Sequence, residues 1–156
     1  MTSRSLARSL PFATALVVAC SGSSGSVGPP AGGAPATGQT CSQASQCYAG
    51  LPDASVHGQV TCLTQLAGGY CTHECRSDAD CCATPGECPD GRAEVCASFE
   101  STGKMYCFLS CDAAAIAAAS DGGTTDPATY CQRWANASFT CRSTGGGSNN
   151  RKFCGP

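Results

Sequence analysis

Residues 41–71 read CSQASQCYAGLPDASVHGQVTCLTQLAGGYC, four cysteines in the pattern Cys41-x5-Cys47-x14-Cys62-x8-Cys71. Three residues later the pattern restarts, as Cys75-x5-Cys81 followed by Cys96-x10-Cys107. Three residues after that comes Cys111-x19-Cys131-x9-Cys141-x12-Cys154. In each unit an aromatic residue (Tyr70, Tyr106, Phe153) precedes the last cysteine. The third cysteine follows Val60-Thr61, Glu94-Val95 or Phe139-Thr140. Recurrence of this kind marks a small module used several times. The expected units are 41–74, 75–110 and 111–156.

Short β-prone runs separated by glycine-bearing turns signal hairpins. Val60-Thr61-Cys62-Leu63 leads through Gly68-Gly69 to Tyr70-Cys71. Glu94-Val95-Cys96 passes Ser101-Thr102-Gly103 to Met105-Tyr106-Cys107. Phe139-Thr140-Cys141 crosses Gly145-Gly146-Gly147 to Lys152-Phe153-Cys154. Unit two adds Cys82 and Cys88 around Pro85-Gly86, the usual centre of a type II turn. Unit three carries an insertion with helical signals. Asp112 is placed to cap the alanine-rich run to Ala119, with Gly122 as its end. Asp126-Pro127 reads as the N-cap and first residue of a second helix through Trp134, with Tyr130 and Trp134 on one face. The fold class is therefore small and disulfide-rich, mainly β-hairpins and loops, with one or two short helices in the C-terminal unit.

The body from Cys41 to Pro156 has 116 residues and 14 cysteines, but only 18 Ile, Leu, Val, Phe, Met, Tyr and Trp residues. That is thin for one hydrophobic core, so bridges at roughly 2–4 kcal/mol each supply what burial does not. Full pairing of 14 cysteines has about 135,000 solutions. If each four-cysteine unit closes on itself, three pairings remain per unit. The expected one is first-to-third and second-to-fourth, which pins each hairpin to the loop before it. This gives Cys41–Cys62, Cys47–Cys71, Cys75–Cys96, Cys81–Cys107, Cys111–Cys141 and Cys131–Cys154, with Cys82–Cys88 closing the turn.

The chain has 15 cysteines, and the odd one is Cys20. It follows a basic stretch with Arg4 and Arg8 and an apolar run, Leu10 to Ala19, interrupted only by Thr14. These are the n-region and h-region of a secretory signal over 1–19. The apolar run is about half the roughly 20 residues a spanning helix needs. Val17-Val18-Ala19-Cys20 resembles the lipobox of bacterial lipoproteins. The resemblance implies cleavage before Cys20 and acylation of Cys20. By the same likeness, Ser21 in place of Asp points to the outer membrane. Residues 21–40, SGSSGSVGPPAGGAPATGQT, are uncharged and lack aromatics. Together with Cys20 they read as a disordered tether over 20–40, about 25 Å in mean span.

Cys75-Arg76-Ser77-Asp78-Ala79-Asp80-Cys81, together with Tyr70-Cys71, resembles cysteine-rich repeats of exported bacterial lipoproteins. The spacing is also similar to Dickkopf-type and EGF-type modules. Those families imply a binding or structural role, with a protein or glycan ligand. Cys81-Cys82 is similar to the cysteine pair of knottin-type protease inhibitors, which supplies the alternative function.

Chemistry beyond this is sparse. Cys71-x3-Cys75 with His57 and His73, and Cys107-x3-Cys111, make a thiolate metal site a lesser alternative. An exported chain meets oxidising conditions that favour bridges instead. His73 reads as a solvated loop residue. Asp78, Asp80, Glu87 and Asp90 read as a solvated acidic loop, with Asp78 and Asp80 as turn caps. Asn136-Ala137-Ser138 matches a glycosylation sequon. With two histidines and no G-x-S-x-G or phosphate loop, no catalytic residue, cofactor or metal is expected. After Cys20 the chain holds 11 acidic and 7 basic residues and no basic stripe, so nucleic acid is not an expected partner. Tyr130, Trp134 and Phe108 are the candidate aromatics for an exposed patch, against packing inside unit three. The expected partner surface is the membrane, through the lipid anchor, and no enzymatic activity is expected.

Overall fold

Three β-prone pairs interrupted by glycine turns become three antiparallel hairpins. They are β1 (Val60–Cys62) with β2 (Cys71–His73), β3 (Glu94–Ser98) with β4 (Met105–Leu109), and β5 (Thr140–Ser143) with β6 (Lys152–Gly155). The computed structural model describes residues 36–51, 55–88, 91–100, 103–119, 126–145 and 150–156. Residues 1–35, with the expected signal and Cys20, lie outside the described residues, as do Asp90, Gly122 and Gly146–Gly147. The fold is small, disulfide-rich and mainly β. Two short helices, α1 (Ala113–Ala118) and α2 (Pro127–Trp134), sit in the third unit.

The hairpin registers place the third and fourth cysteines of every unit directly opposite each other. The pairs are Cys62 with Cys71, Cys96 with Cys107, and Cys141 with Cys154. One strand then bridges to the unit's first cysteine and the other to its second. A 3-10 turn sets the spacing of those two in units one and two, Ala44–Gln46 and Asp78–Asp80. The same bond closes both turns. Gln46 Oε1 accepts from the amides of Ser42 and Gln43, and Asp80 Oδ2 accepts from those of Arg76 and Ser77. In unit three the two helices occupy this interval. Asp126 caps α2 by accepting from Thr129 N–H at 2.7 Å, and Pro127 fills the first turn, where a missing N–H costs nothing. Asp112 precedes α1 but makes no side-chain cap bond. Its carboxylate instead accepts from the Ser110 hydroxyl at 3.4 Å.

The units are interlocked. The segment leading into each first cysteine pairs with that unit's own closing strand. Cys75 N–H donates to Met105 O, and Cys111 N–H to Lys152 O. The same pairing occurs before Cys41, where Gly38 N–H donates to Cys71 O and Cys71 N–H to Gln39 O. Residues 36–40, which composition places in the tether, are thus part of the folded body. Ala36 and Thr37 are buried, because small side chains fit beneath the hairpin. The approach is close enough to demand glycine at 69. A Cβ there would stand 1.9 Å from the Cys41 carbonyl oxygen, and φ is +70°.

One aromatic core joins all three units. Phe108 of unit two is fully buried. Its ring centroid lies 5.5 Å from Tyr70 of unit one, 6.1 Å from Phe99, and 6.3 and 5.5 Å from Phe139 and Phe153 of unit three. These are the separations aromatic pairs favour. An exposed patch built from Phe108 and Tyr130 is therefore overturned, since both are buried. Only Trp134 reaches the surface. The Arg92 guanidinium lies 3.7 Å from its ring centroid and that of Arg133 4.6 Å.

Candidate functional site

The fourteen body cysteines form seven bridges. They are Cys41–Cys62, Cys47–Cys71, Cys75–Cys96, Cys81–Cys107, Cys82–Cys88, Cys111–Cys141 and Cys131–Cys154. Because the third and fourth cysteines face each other, the two bridges of a unit lie together. The sulfurs of Cys41, Cys47 and Cys71 are within 4.8 Å of one another, as are those of Cys75, Cys81 and Cys107, and of Cys111, Cys131 and Cys154. Sulfurs held in bridges offer no thiolate to a metal. The Cys71-x3-Cys75 pair is not brought together as a site, because each cysteine belongs to a different unit's bridge.

Two residues read as solvated are instead the most deeply buried polar pair. His73, on β2, and Glu87, in the Cys82–Cys88 turn, are both fully buried, with Nε2 2.5 Å from Oε1. The cause is topological, because β2 runs beneath the turn. Pro85-Gly86 folds Thr84–Glu87 back on itself, with Glu87 N–H donating to Thr84 O at 3.0 Å and φ +88° at Gly86. The Glu87 carboxylate thereby points inward and accepts from the amides of Cys82 and Thr84 at 3.2 and 2.9 Å. The other ring nitrogen of His73 donates to the carbonyls of His57 and Glu74. Burial works against a charged His73, but the Glu87 carboxylate and these carbonyls outweigh it and raise its pKa. Burial likewise opposes the Glu87 charge, yet His73 and the two amides hold its carboxyl below the ordinary value. The two form a buried histidine–carboxylate pair that ties β2 to the turn.

Beside it lies a residue the sequence does not single out. Glu94 opens β3 with 7% exposure, and among the described residues the Thr37 hydroxyl acts on its carboxyl without completing a full hydrogen bond. Burial drives its pKa well up, with the Glu87 charge adding to the effect and the Thr37 hydroxyl opposing it. Thr37 in turn bonds the Tyr48 hydroxyl at 2.6 Å. Burial, and then the nearby Glu94, raise the Tyr48 pKa as well. No periodicity or motif marks Glu94 in advance, because its burial comes from a turn and a leading segment that cover the strand from outside.

On the surface above His73, residues 57, 58 and 74–76 with Asp80 line an open cleft of about 440 Å³. The His57 ring stands 3.7 Å from Asp80 Oδ1, and Lys104 pairs with Glu74. The turn cap is Asp80 alone; the Asp78 carboxylate instead accepts from Cys96 N–H at 2.8 Å and pairs with Arg151 of unit three. Arg151 also reaches the Cys96 carbonyl at 3.2 Å. Asn136 of the sequon donates to the Ala67 carbonyl at 3.0 Å. Among the described residues, no helix is long and apolar enough to cross a membrane. No family model, curated protein or solved structure matches the chain.

Proposed function

We propose that the chain is a lipid-anchored cell-envelope protein whose stapled body serves as a surface structural or binding module without enzymatic activity. The observation that carries this reading is the cysteine accounting. Every body cysteine is engaged inside its own unit, which leaves Cys20 over and available for acylation behind its apolar run. Residues 21–35 then act as the spacer between membrane and body, and Ser21 directs the protein to the outer membrane. Multiple acyl chains give stable attachment where a single chain does not. The ligand of the body is a protein or glycan. The cleft around His57, Arg76 and Asp80, with its mixed charges, is the surface offered to it.

The test is the intact mass of the protein from its native membrane fraction. A chain starting at Cys20 with a lipid-sized increment supports the reading. A chain retaining residues 1–19, or one cut elsewhere without lipid, contradicts it. A protease-inhibitor module is the second reading. It is favoured by Ala83, Pro85 and Gly86 standing exposed on a disulfide-closed ring. Inhibition of a protease panel by the purified body, lost on Pro85→Ala, would bring that reading to the front.

A further inference from the structure

The Cys82–Cys88 bridge differs from the other six in three ways. It has no counterpart in units one and three. Its cysteines are separated by 6 positions, against 21 to 30 for the rest. Cys82 is also the one exposed cysteine of the fourteen, and its backbone is held in the left-handed region at φ +63°, which a non-glycine residue adopts at a cost. Against this bridge lies the buried carboxyl of Glu94, which among the described residues has no hydrogen bond of full geometry and only the Thr37 hydroxyl acting on it. The sulfurs of Cys82 and Cys88 and a Glu94 oxygen lie within 4.8 Å of one another. A buried carboxyl so weakly hydrogen-bonded is costly, and here it lies beside two sulfurs.

We propose that Cys82, Cys88 and Glu94 form a redox-gated metal site, which takes one borderline-soft divalent cation such as Zn²⁺ once a dithiol has opened the bridge. The opening is a two-electron exchange. A thiolate of the dithiol attacks the sulfur of Cys82, the more exposed residue of the pair, the Cys82–Cys88 bond breaks, and Cys88 leaves as a thiolate. The second sulfur of the dithiol then displaces Cys82, so the dithiol ends as a disulfide and the protein as two thiols. The cation replaces the protons of both thiols and of the Glu94 carboxyl, which pass to solvent.

The ring does not depend on the bridge to keep the two sulfurs together. The Thr84–Glu87 turn is closed by its own backbone bond, and Glu87 ties the Cys82 and Thr84 amides to buried His73. Two thiolates on one tetrahedral zinc lie about 3.8 Å apart, from bonds of about 2.3 Å. A small rearrangement inside the closed turn reaches that separation. The exposed side at Cys82 leaves a fourth position open to water. The three sulfur triplets elsewhere are poorer candidates, because freeing them means cutting the long bridges that staple the hairpins.

The test uses the full chain. Limited reduction, followed by alkylation of a sample and peptide mapping, is expected to label Cys82 and Cys88 first. The desalted protein is then titrated with Co²⁺ and competed with Zn²⁺. One equivalent of Co²⁺ with a thiolate-to-cobalt charge-transfer band is expected. The band should be absent in Cys82→Ser/Cys88→Ser, and Glu94→Gln should bind at least roughly 10–100-fold more weakly, as loss of a ligand or its support does. Protection of the other twelve body cysteines from alkylation, with unchanged Trp134 fluorescence, certifies the fold of each variant. Another bridge opening first, no thiolate band in the reduced chain, or equal affinity in Glu94→Gln would each overturn the proposal.

Discussion

Replacing Phe108 with alanine removes the ring on which the three units meet. The side chain is fully buried and faces Tyr70, Phe99, Phe139 and Phe153 at centroid distances of 5.5 to 6.3 Å. Truncating a buried Phe to Ala costs about 3–5 kcal/mol in lost transfer energy and residual cavity. Four ring partners place this site at the upper end, since each aromatic pair adds roughly 0.5–1.5 kcal/mol beyond burial. A small domain's whole stability is about 5–15 kcal/mol, so the loss is large. The assay is guanidinium unfolding with all bridges intact, followed by fluorescence of Trp134, the single tryptophan. Phe108 belongs to unit two and Trp134 to unit three, so the signal reports coupling between units. The expected result is a fall in the Trp134 midpoint matching about 3–5 kcal/mol, with Phe108→Leu losing clearly less. A Trp134 transition that does not move, or moves by under about 1 kcal/mol, would mean that the units are independent beads and refute the shared core.

Gly69→Ala forces a Cβ to 1.9 Å from the Cys41 carbonyl, whereas Gly103→Ala has the same left-handed backbone and open space around it. The second should lose about 1–2 kcal/mol and the first clearly more; equal losses in chemical denaturation would discredit the close approach. By chain entropy, Cys82→Ser/Cys88→Ser should cost about 2 kcal/mol and Cys81→Ser/Cys107→Ser about 3.5 kcal/mol, from closures of 6 and 26 positions; the reverse order in the same assay would count against it. Stability should also peak near pH 4.5. Glu87, with its pKa lowered, contributes stability present above the ordinary value near 4.5 and lost as pH falls through its folded value. Glu94, with its pKa raised, keeps its proton when folded while the unfolded chain releases it above about 4.5, so stability falls as pH rises. His73 adds the same sign above 6.5. Each retained proton contributes at most about 1.4 kcal/mol per pH unit. Glu94→Gln should flatten the curve between pH 4.5 and 6.5, and an unchanged slope in denaturation across that range would remove Glu94 from the account.

What could be read from the residues follows how local each feature is. The hairpins and α2 depend on neighbouring residues, on β-prone runs, glycine turns and the Asp126-Pro127 start, and they were legible. The cap at Asp112 was not, because Ser110 competes for its carboxylate. Residues 36–40 carry no apolar signal, yet they occupy the place that Glu74-Cys75 and Ser110-Cys111 hold in the later units. Extending the repeat backwards from Cys41 would have found them. His73 and Glu87 carry no local sign of burial, which depends on a turn 14 residues away covering β2. Glu94 was invisible for the same reason. Long-range covering, not local propensity, decides which polar groups of a thin-cored protein are interior.

Oxidised units, each closed first-to-third and second-to-fourth, build the body, and proteolysis of the unreduced protein with tandem mass spectrometry of the linked peptides reads that pairing. The expected pairs are Cys41–Cys62, Cys47–Cys71, Cys75–Cys96, Cys81–Cys107, Cys82–Cys88, Cys111–Cys141 and Cys131–Cys154, with Cys20 in none of them. A bridge between units, such as Cys71 to Cys75, or a body cysteine alkylated without reduction, would contradict it.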